Sequence, residues 1–179
     1  MYSLTRRLCL CVLLAAAFGP APLVAIPNAR QPVPGVLTGG QPTRGQLEEA
    51  AAAGYMTVVN LRPLSERGAW DEEEFVTELG MAFFHLPVGG IEDVNQENAE
   101  ALREILRSSN GQPVLVHCAS GNRIGALLAI GAALFDGALL DEALELGRNA
   151  GLTRLERTTR EYLLELDVCQ TLTACGRTP

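Results

Sequence analysis

Short apolar runs alternate with longer amphipathic stretches along this chain, and turn residues punctuate the boundaries. Val36-Leu37-Thr38, Met56 to Leu61, Ala82 to Leu86 and Pro113-Val114-Leu115-Val116 each predict a short strand, the second and last of them buried in a sheet. Between them the period lengthens to that of a helix. Thr43 is a good N-cap for a helix through Ala53, which Gly54 ends. Asp71 to Leu79 predicts an acidic helix closed by Gly80, with Asp71-Glu72-Glu73-Glu74 as a solvated start favoured by the helix dipole. Asn95 to Ser108 puts Ala99, Leu102, Ile105 and Leu106 on one face, and Asn110-Gly111 turns into the last strand. An Ala- and Leu-rich helix follows from Ile124 to Phe135, then helices from Leu140 and Arg154. This alternation predicts an α/β fold, a three-layer sandwich with a central mainly parallel sheet. The proline-rich stretch Gln31 to Gly35 reads as an extended linker, and no internal repeat is visible.

The amino terminus changes the picture. Met1 to Arg7 is basic, Leu8 to Phe18 is apolar but too short to span a bilayer, and Leu23-Val24-Ala25 suits cleavage. The expected organisation is a signal peptide over 1–25, a linker over 26–35, one domain over 36–168 and a tail over 169–179. That implies a secreted, periplasmic protein with no stable membrane insertion after cleavage; a retained signal anchor is the alternative. Neither Cys9 nor Cys11 follows the small residue that lipoprotein processing wants.

Removing Arg6 and Arg7 leaves 12 of 14 basic residues against 21 acidic ones, a net charge of −9. Every basic residue is arginine. An acidic chain without a basic stripe argues against a nucleic-acid partner. An anionic substrate would therefore be captured by a local positive site, against the overall field. Two histidines without Cys or carboxylates at ligand spacing predict no metal. No other cofactor is expected. In an oxidising compartment Cys169 and Cys175 would form a small disulfide or remain free thiols, with Cys118 unpaired in both cases.

The chemistry concentrates in His117-Cys118-Ala119-Ser120-Gly121-Asn122-Arg123. Here a cysteine ends a strand, a short polar loop turns at Gly121, and an arginine opens a helix. Free N–H groups at a helix N-terminus favour negative charge. Gly121 lets successive amides converge, so the backbone of Ala119, Ser120, Gly121, Asn122 and Arg123 is expected to bind an oxyanion. The same field favours a thiolate, the nucleophilic form of cysteine. Arg123 supplies a planar fork for two oxygens. His117 is expected to hydrogen-bond the loop backbone and support its shape.

This segment resembles the signature loop of the cysteine-dependent protein tyrosine and dual-specificity phosphatases, which run His-Cys, five residues, Arg. Gly40-Gln41-Pro42-Thr43, Val59-Asn60-Leu61-Arg62 and the Cys118 loop together resemble one bacterial branch, the phosphatase-like domain of beta-lactamase hydrolase-like proteins. These landmarks span Leu37 to about Leu134. The resemblance implies a protein tyrosine phosphatase-like fold with Cys118 as nucleophile, Arg123 as oxyanion clamp and an aspartate on the preceding loop as general acid. Asp93 is the choice and Glu92 the second, about 25 residues before Cys118. The competing role for Asp93 is to cap the following helix.

Two departures carry weight. Only four residues separate Cys118 from Arg123, the loop length of rhodanese-type sulfurtransferases, and Ile124 stands where phosphatases carry Ser or Thr. The leading expectation is a phosphate-ester hydrolase. Its alternatives are a sulfurtransferase holding a persulfide on Cys118, with a sulfane-sulfur substrate, and a non-catalytic oxyanion-binding module. Arg62 is expected either to bind the substrate's periphery or to salt-bridge Glu66. His85 reads as a hydrogen-bonded core residue, and Trp70 as a core anchor or a substrate wall.

Overall fold

The computed structural model describes residues 24–66, 68 and 70–174, with side chains as far as residue 166. Most of the expected signal peptide lies outside that description, as does the choice between a Cys169–Cys175 disulfide and two free thiols. Val24 and Ile26 are buried in the core of the domain.

Five strands form one sheet: β1 (Arg30–Val33), β2 (Val36–Gly39), β3 (Thr57–Asn60), β4 (Ala82–His85) and β5 (Val114–His117), in the order β1-β2-β5-β3-β4. β1 runs antiparallel to β2, and the other pairs are parallel. The stretch expected as a linker therefore contributes a paired strand. Pro32 is compatible with it because an edge strand tolerates a missing N–H.

Among the described residues six α-helices surround the sheet, α1 (Arg44–Ala52), α2 (Glu72–Glu78), α3 (Gln96–Ser108), α4 (Asn122–Phe135), α5 (Leu140–Asn149) and α6 (Glu156–Ala174), the last packed on α4 and α5. α6 runs on past residue 169, where a separate tail was expected. Side-chain alternation along β5 divides the core. Leu115 packs with Leu47 and Ala50 of α1 and Val76 of α2, while Val114, Val116 and Cys118 pack with Leu102 of α3, Leu127 of α4 and Leu144 of α5. The result is a three-layer α/β sandwich with a mainly parallel sheet.

Local chemistry fixes the helix starts. Thr43 caps α1 in a reciprocal box with Gln46, Asp71 caps α2 through the Glu74 N–H, and Asn95 caps α3 through the Asn98 N–H. α4 starts differently: its N-cap is Gly121, which supplies no side-chain bond.

α4 and α5 approach closely because Gly125 faces Gly147. A Cβ on Gly125 would lie 2.4 Å from the Leu152 nitrogen and 2.5 Å from the Gly147 oxygen, both backbone atoms. Gly125→Ala gains about 1 kcal/mol of helix propensity but must push two backbones apart, which costs ~1–3 kcal/mol or more. Net destabilisation and a lower Tm are expected in thermal unfolding; an unchanged Tm would show that α5 yields freely.

Candidate active site

β5 is the central strand, so its C-terminal end opens where flanking loops can converge. The Leu61 N–H donates to the His117 oxygen (2.9 Å), and the Cys118 N–H donates to the Gly39 oxygen (3.2 Å). Cys118 is thus pinned between the ends of β2 and β3. Beyond it, Ser120 bridges to Gly40 and accepts a hydrogen bond from Asn28 at its carbonyl. At Gly121 φ is +90°, a conformation open to glycine at little cost. This turn aims the Gly121 N–H at Sγ of Cys118, 3.1 Å away.

Cys118 is fully buried and Arg123 is 12% exposed. The guanidinium is held by a bidentate pair with Glu66, Nη1 to Oε1 at 3.0 Å and Nη2 to Oε2 at 2.8 Å, and it also donates to the Val88 carbonyl. This occupies the end of the fork and leaves the Nε side for another anion. Burial is the largest single influence on the Arg123 pKa and pulls it down. Glu66 and Cys118 together outweigh it and hold the arginine above its ordinary range. Glu66 is held below its ordinary 4.5, first by its hydrogen bond from Arg123. The Glu66 clasp is therefore fully formed above that ordinary value and is lost as pH falls through the depressed one.

The expected site residues fare differently. Ala119 is exposed at the loop's outer edge and Ser120 is half-buried. Asn122 brings its amide to the start of α4, but its side chain is committed elsewhere. Its Oδ1 accepts from the Thr153 N–H (2.8 Å) and the Leu155 N–H (3.4 Å), fastening the loop to the connection before α6. Arg62 is tied to Glu66 and to Oε1 of Gln41, the salt-bridging alternative rather than a free peripheral arm. His85 faces the Arg62 carbonyl through Nε2 (2.7 Å).

Two expectations need correction. His117 makes no hydrogen bond to the loop, because strand alternation turns it to the opposite face of the sheet from Cys118. Its Nε2 lies 2.9 Å from Oε1 of Glu72, off the line a good hydrogen bond needs, and Nδ1 has no partner. Glu72 is not part of a solvated helix start: it is 11% exposed and accepts from Asn60 Nδ2 (2.7 Å) and Gln41 Nε2 (3.3 Å).

Asp93 does not cap α3, a task that falls to Asn95. Its Oδ2 accepts from the Gly89 N–H (2.7 Å) and the Gly90 N–H (3.2 Å), in that order the causes that hold its carboxyl below 3.8. This turn sits beside the clamp, since Val88 one residue earlier accepts from Arg123.

Sequence reasoning missed Glu66 as the partner of Arg123 and Glu72 as the partner of His117. Glu66 sits four residues after Arg62, which flagged that pair but not the tertiary one. Nothing local sets Glu72 apart from Glu73 and Glu74.

Residues 35–135 match the family described as beta-lactamase hydrolase-like protein, phosphatase-like domain. A beta-lactamase hydrolase-like protein of Xylella fastidiosa (strain Temecula1) is 30% identical over 116 residues, 63% of this chain. The chain matches about a quarter, 26%, of that relative's length. Among solved structures, a candidate phosphatase (DUF442) from Shewanella putrefaciens CN-32 superposes with a TM-score of 0.62 at 25% identity, over 80% of this chain and 90% of that one. The fold is shared with P. aeruginosa TpbA, solved in complex with pTyr, at a TM-score of 0.56 and 19% identity, over 82% of this chain and 90% of that one.

Proposed function

Because the chain belongs to the phosphatase-like domain family of beta-lactamase hydrolase-like proteins, we propose that it is a secreted cysteine-dependent phosphatase acting through a cysteinyl-phosphate. The observation that carries this reading is the buried Cys118 sulfur with the Gly121 amide aimed at it, at a helix start that has no side-chain cap and whose second residue is the clasped Arg123. The Cys118 thiolate attacks phosphorus and forms the S–P bond as the ester P–O bond breaks. The loop amides and the Nε side of Arg123 receive the phosphoryl oxygens, and Glu66 keeps the guanidinium oriented. The departing oxygen takes a proton from the 88–93 loop, with Asp93 as donor. Water then cleaves the S–P bond, giving phosphate and regenerating the thiolate, while the Asp93 carboxylate takes the water's proton.

Asp93 must release the Gly89 and Gly90 amides and gain a proton to act as acid, since those bonds favour its ionised form. Asp93→Asn separates this role from stapling the turn. As the acid, its loss lowers kcat/KM for phenyl phosphate by about 10²–10⁴-fold, and kcat/KM for p-nitrophenyl phosphate far less, because that leaving group needs little protonation. Equal losses in kcat/KM on both substrates would assign Asp93 to the turn alone.

A sulfurtransferase reading is favoured by one further feature. Cys118 is completely buried and its loop has four residues before Arg123, the length of rhodanese-type sulfurtransferase loops. The deciding experiment runs p-nitrophenyl phosphate hydrolysis beside sulfur transfer from thiosulfate to cyanide, on the reduced protein. Phosphate release is expected; thiocyanate formation without phosphate release would replace the phosphatase reading with sulfur transfer.

A further inference from the structure

His117 is fully buried next to the nucleophile, yet its ring faces away from the loop it was expected to support. Its surroundings discriminate among its protonation states. With the proton on Nδ1, a buried donor would have no partner while the bare Nε2 lone pair faced a carboxylate oxygen 2.9 Å away. With both nitrogens protonated, the same orphaned Nδ1–H would remain. With the proton on Nε2 alone, the N–H lies against a carboxylate oxygen 2.9 Å away, off the line of a good hydrogen bond but of favourable charge, and Nδ1 is left as an unpaired acceptor, which a protein interior tolerates better than an unpaired donor.

Glu72 does more than face the imidazole. Oε2 accepts from Asn60 at the end of β3, and Oε1 accepts from Gln41 just after β2. One carboxylate thereby joins the C-terminal ends of the strands on both sides of β5. Gln41 hands the connection on: its Oε1 accepts from Arg62, Arg62 pairs with Glu66, and Glu66 grips Arg123. The polar chain runs from the residue before the nucleophile to the oxyanion clamp after it.

We infer that Glu72 is a positioning residue, whose buried carboxylate fixes His117 with its proton on Nε2 and, through Gln41, Arg62 and Glu66, holds Arg123 in place. This rests on Cys118 and Arg123 forming the working site, and not on which group is transferred there.

The test reads the side chains without turnover, so it stands apart from the phosphatase assay. Nitrogen-15 NMR of the full chain distinguishes a protonated ring nitrogen from a bare one. In the wild type His117 is expected to show protonated Nε2 and bare Nδ1, with a sharp Arg123 Nε–H signal. Glu72→Gln keeps an acceptor and is expected to retain the His117 pattern. Glu72→Met, which offers none, is expected to mix the two tautomers and broaden the Arg123 signal. A wild-type ring protonated on Nδ1 overturns the inference even if the methionine variant fails to fold. A Glu72→Met protein with both signals unchanged overturns it as well. A change at His117 alone would overturn the link to Arg123.

Discussion

Cys118→Ser is expected to abolish phosphate-ester turnover, by on the order of 10³–10⁶-fold, while leaving the fold intact. Serine fits the same volume, and at Cys118 the side chain is buried with the Gly121 N–H directed at its terminal atom. The Cys118 N–H that anchors the loop to Gly39 is backbone and survives the change. What is lost is the proposed nucleophile. A cysteine sulfur is the stronger nucleophile, and a serine oxygen at the same position does not replace it. The check is p-nitrophenyl phosphate hydrolysis together with Tm. Activity retained in the variant would remove Cys118 from the chemistry; lost activity with a collapsed Tm would say nothing about it.

Arg123→Lys is the second large effect, a loss of about 10²–10³-fold in kcat/KM, comparable to removing a preorganised oxyanion donor. Lysine keeps the positive charge but not the fork. In the protein the guanidinium divides its work: one edge is bidentate with Glu66, one nitrogen also reaches the Val88 carbonyl, and the Nε side is left for substrate. An ammonium group cannot satisfy both loops and an oxyanion with that geometry. It would also leave the Glu66 carboxylate less firmly held, so the clamp would lose its orientation as well as its donors. Activity within a few-fold of wild type would mean that charge alone suffices and that the Glu66 clasp is incidental.

The contrast between these two residues and their supports shows how far the sequence could be read. Cys118 and Arg123 lie within six residues, and a strand, a glycine turn and a helix start between them force their meeting. Helix boundaries were legible for the same reason. Thr43 is legible as a cap in the sequence, whereas Asp71 and Asn95 read there as first helical residues and prove to cap their helices through the amides three residues ahead. β1 reads as a linker in the sequence because the stretch is proline-rich; only the sheet shows that it is an edge, where proline is tolerated.

The supports lay out of reach because they are made through space. Glu66 meets Arg123 across 57 positions in sequence, and Glu72 meets His117 only because α2 packs on the β5 face opposite Cys118. His117 was assigned to the loop on the strength of being next to it, although alternation along the strand sends adjacent side chains to opposite faces. The motif residues Gln41, Asn60 and Arg62 acquire a physical meaning in the fold, since all three belong to the polar chain around the site.

Ile124 sharpens the kinetic expectation. It is fully buried in the core where the resembling phosphatases place a hydroxyl, so the departing thiolate has no such donor at that position. Breakdown of the cysteinyl-phosphate should then be the slow step, and the intermediate should accumulate. Acid quenching during p-nitrophenyl phosphate turnover, followed by mass analysis of the Cys118 peptide, tests this most directly. The account predicts one phosphoryl group on Cys118, absent in Cys118→Ser; sustained turnover with an unmodified Cys118 peptide would contradict it.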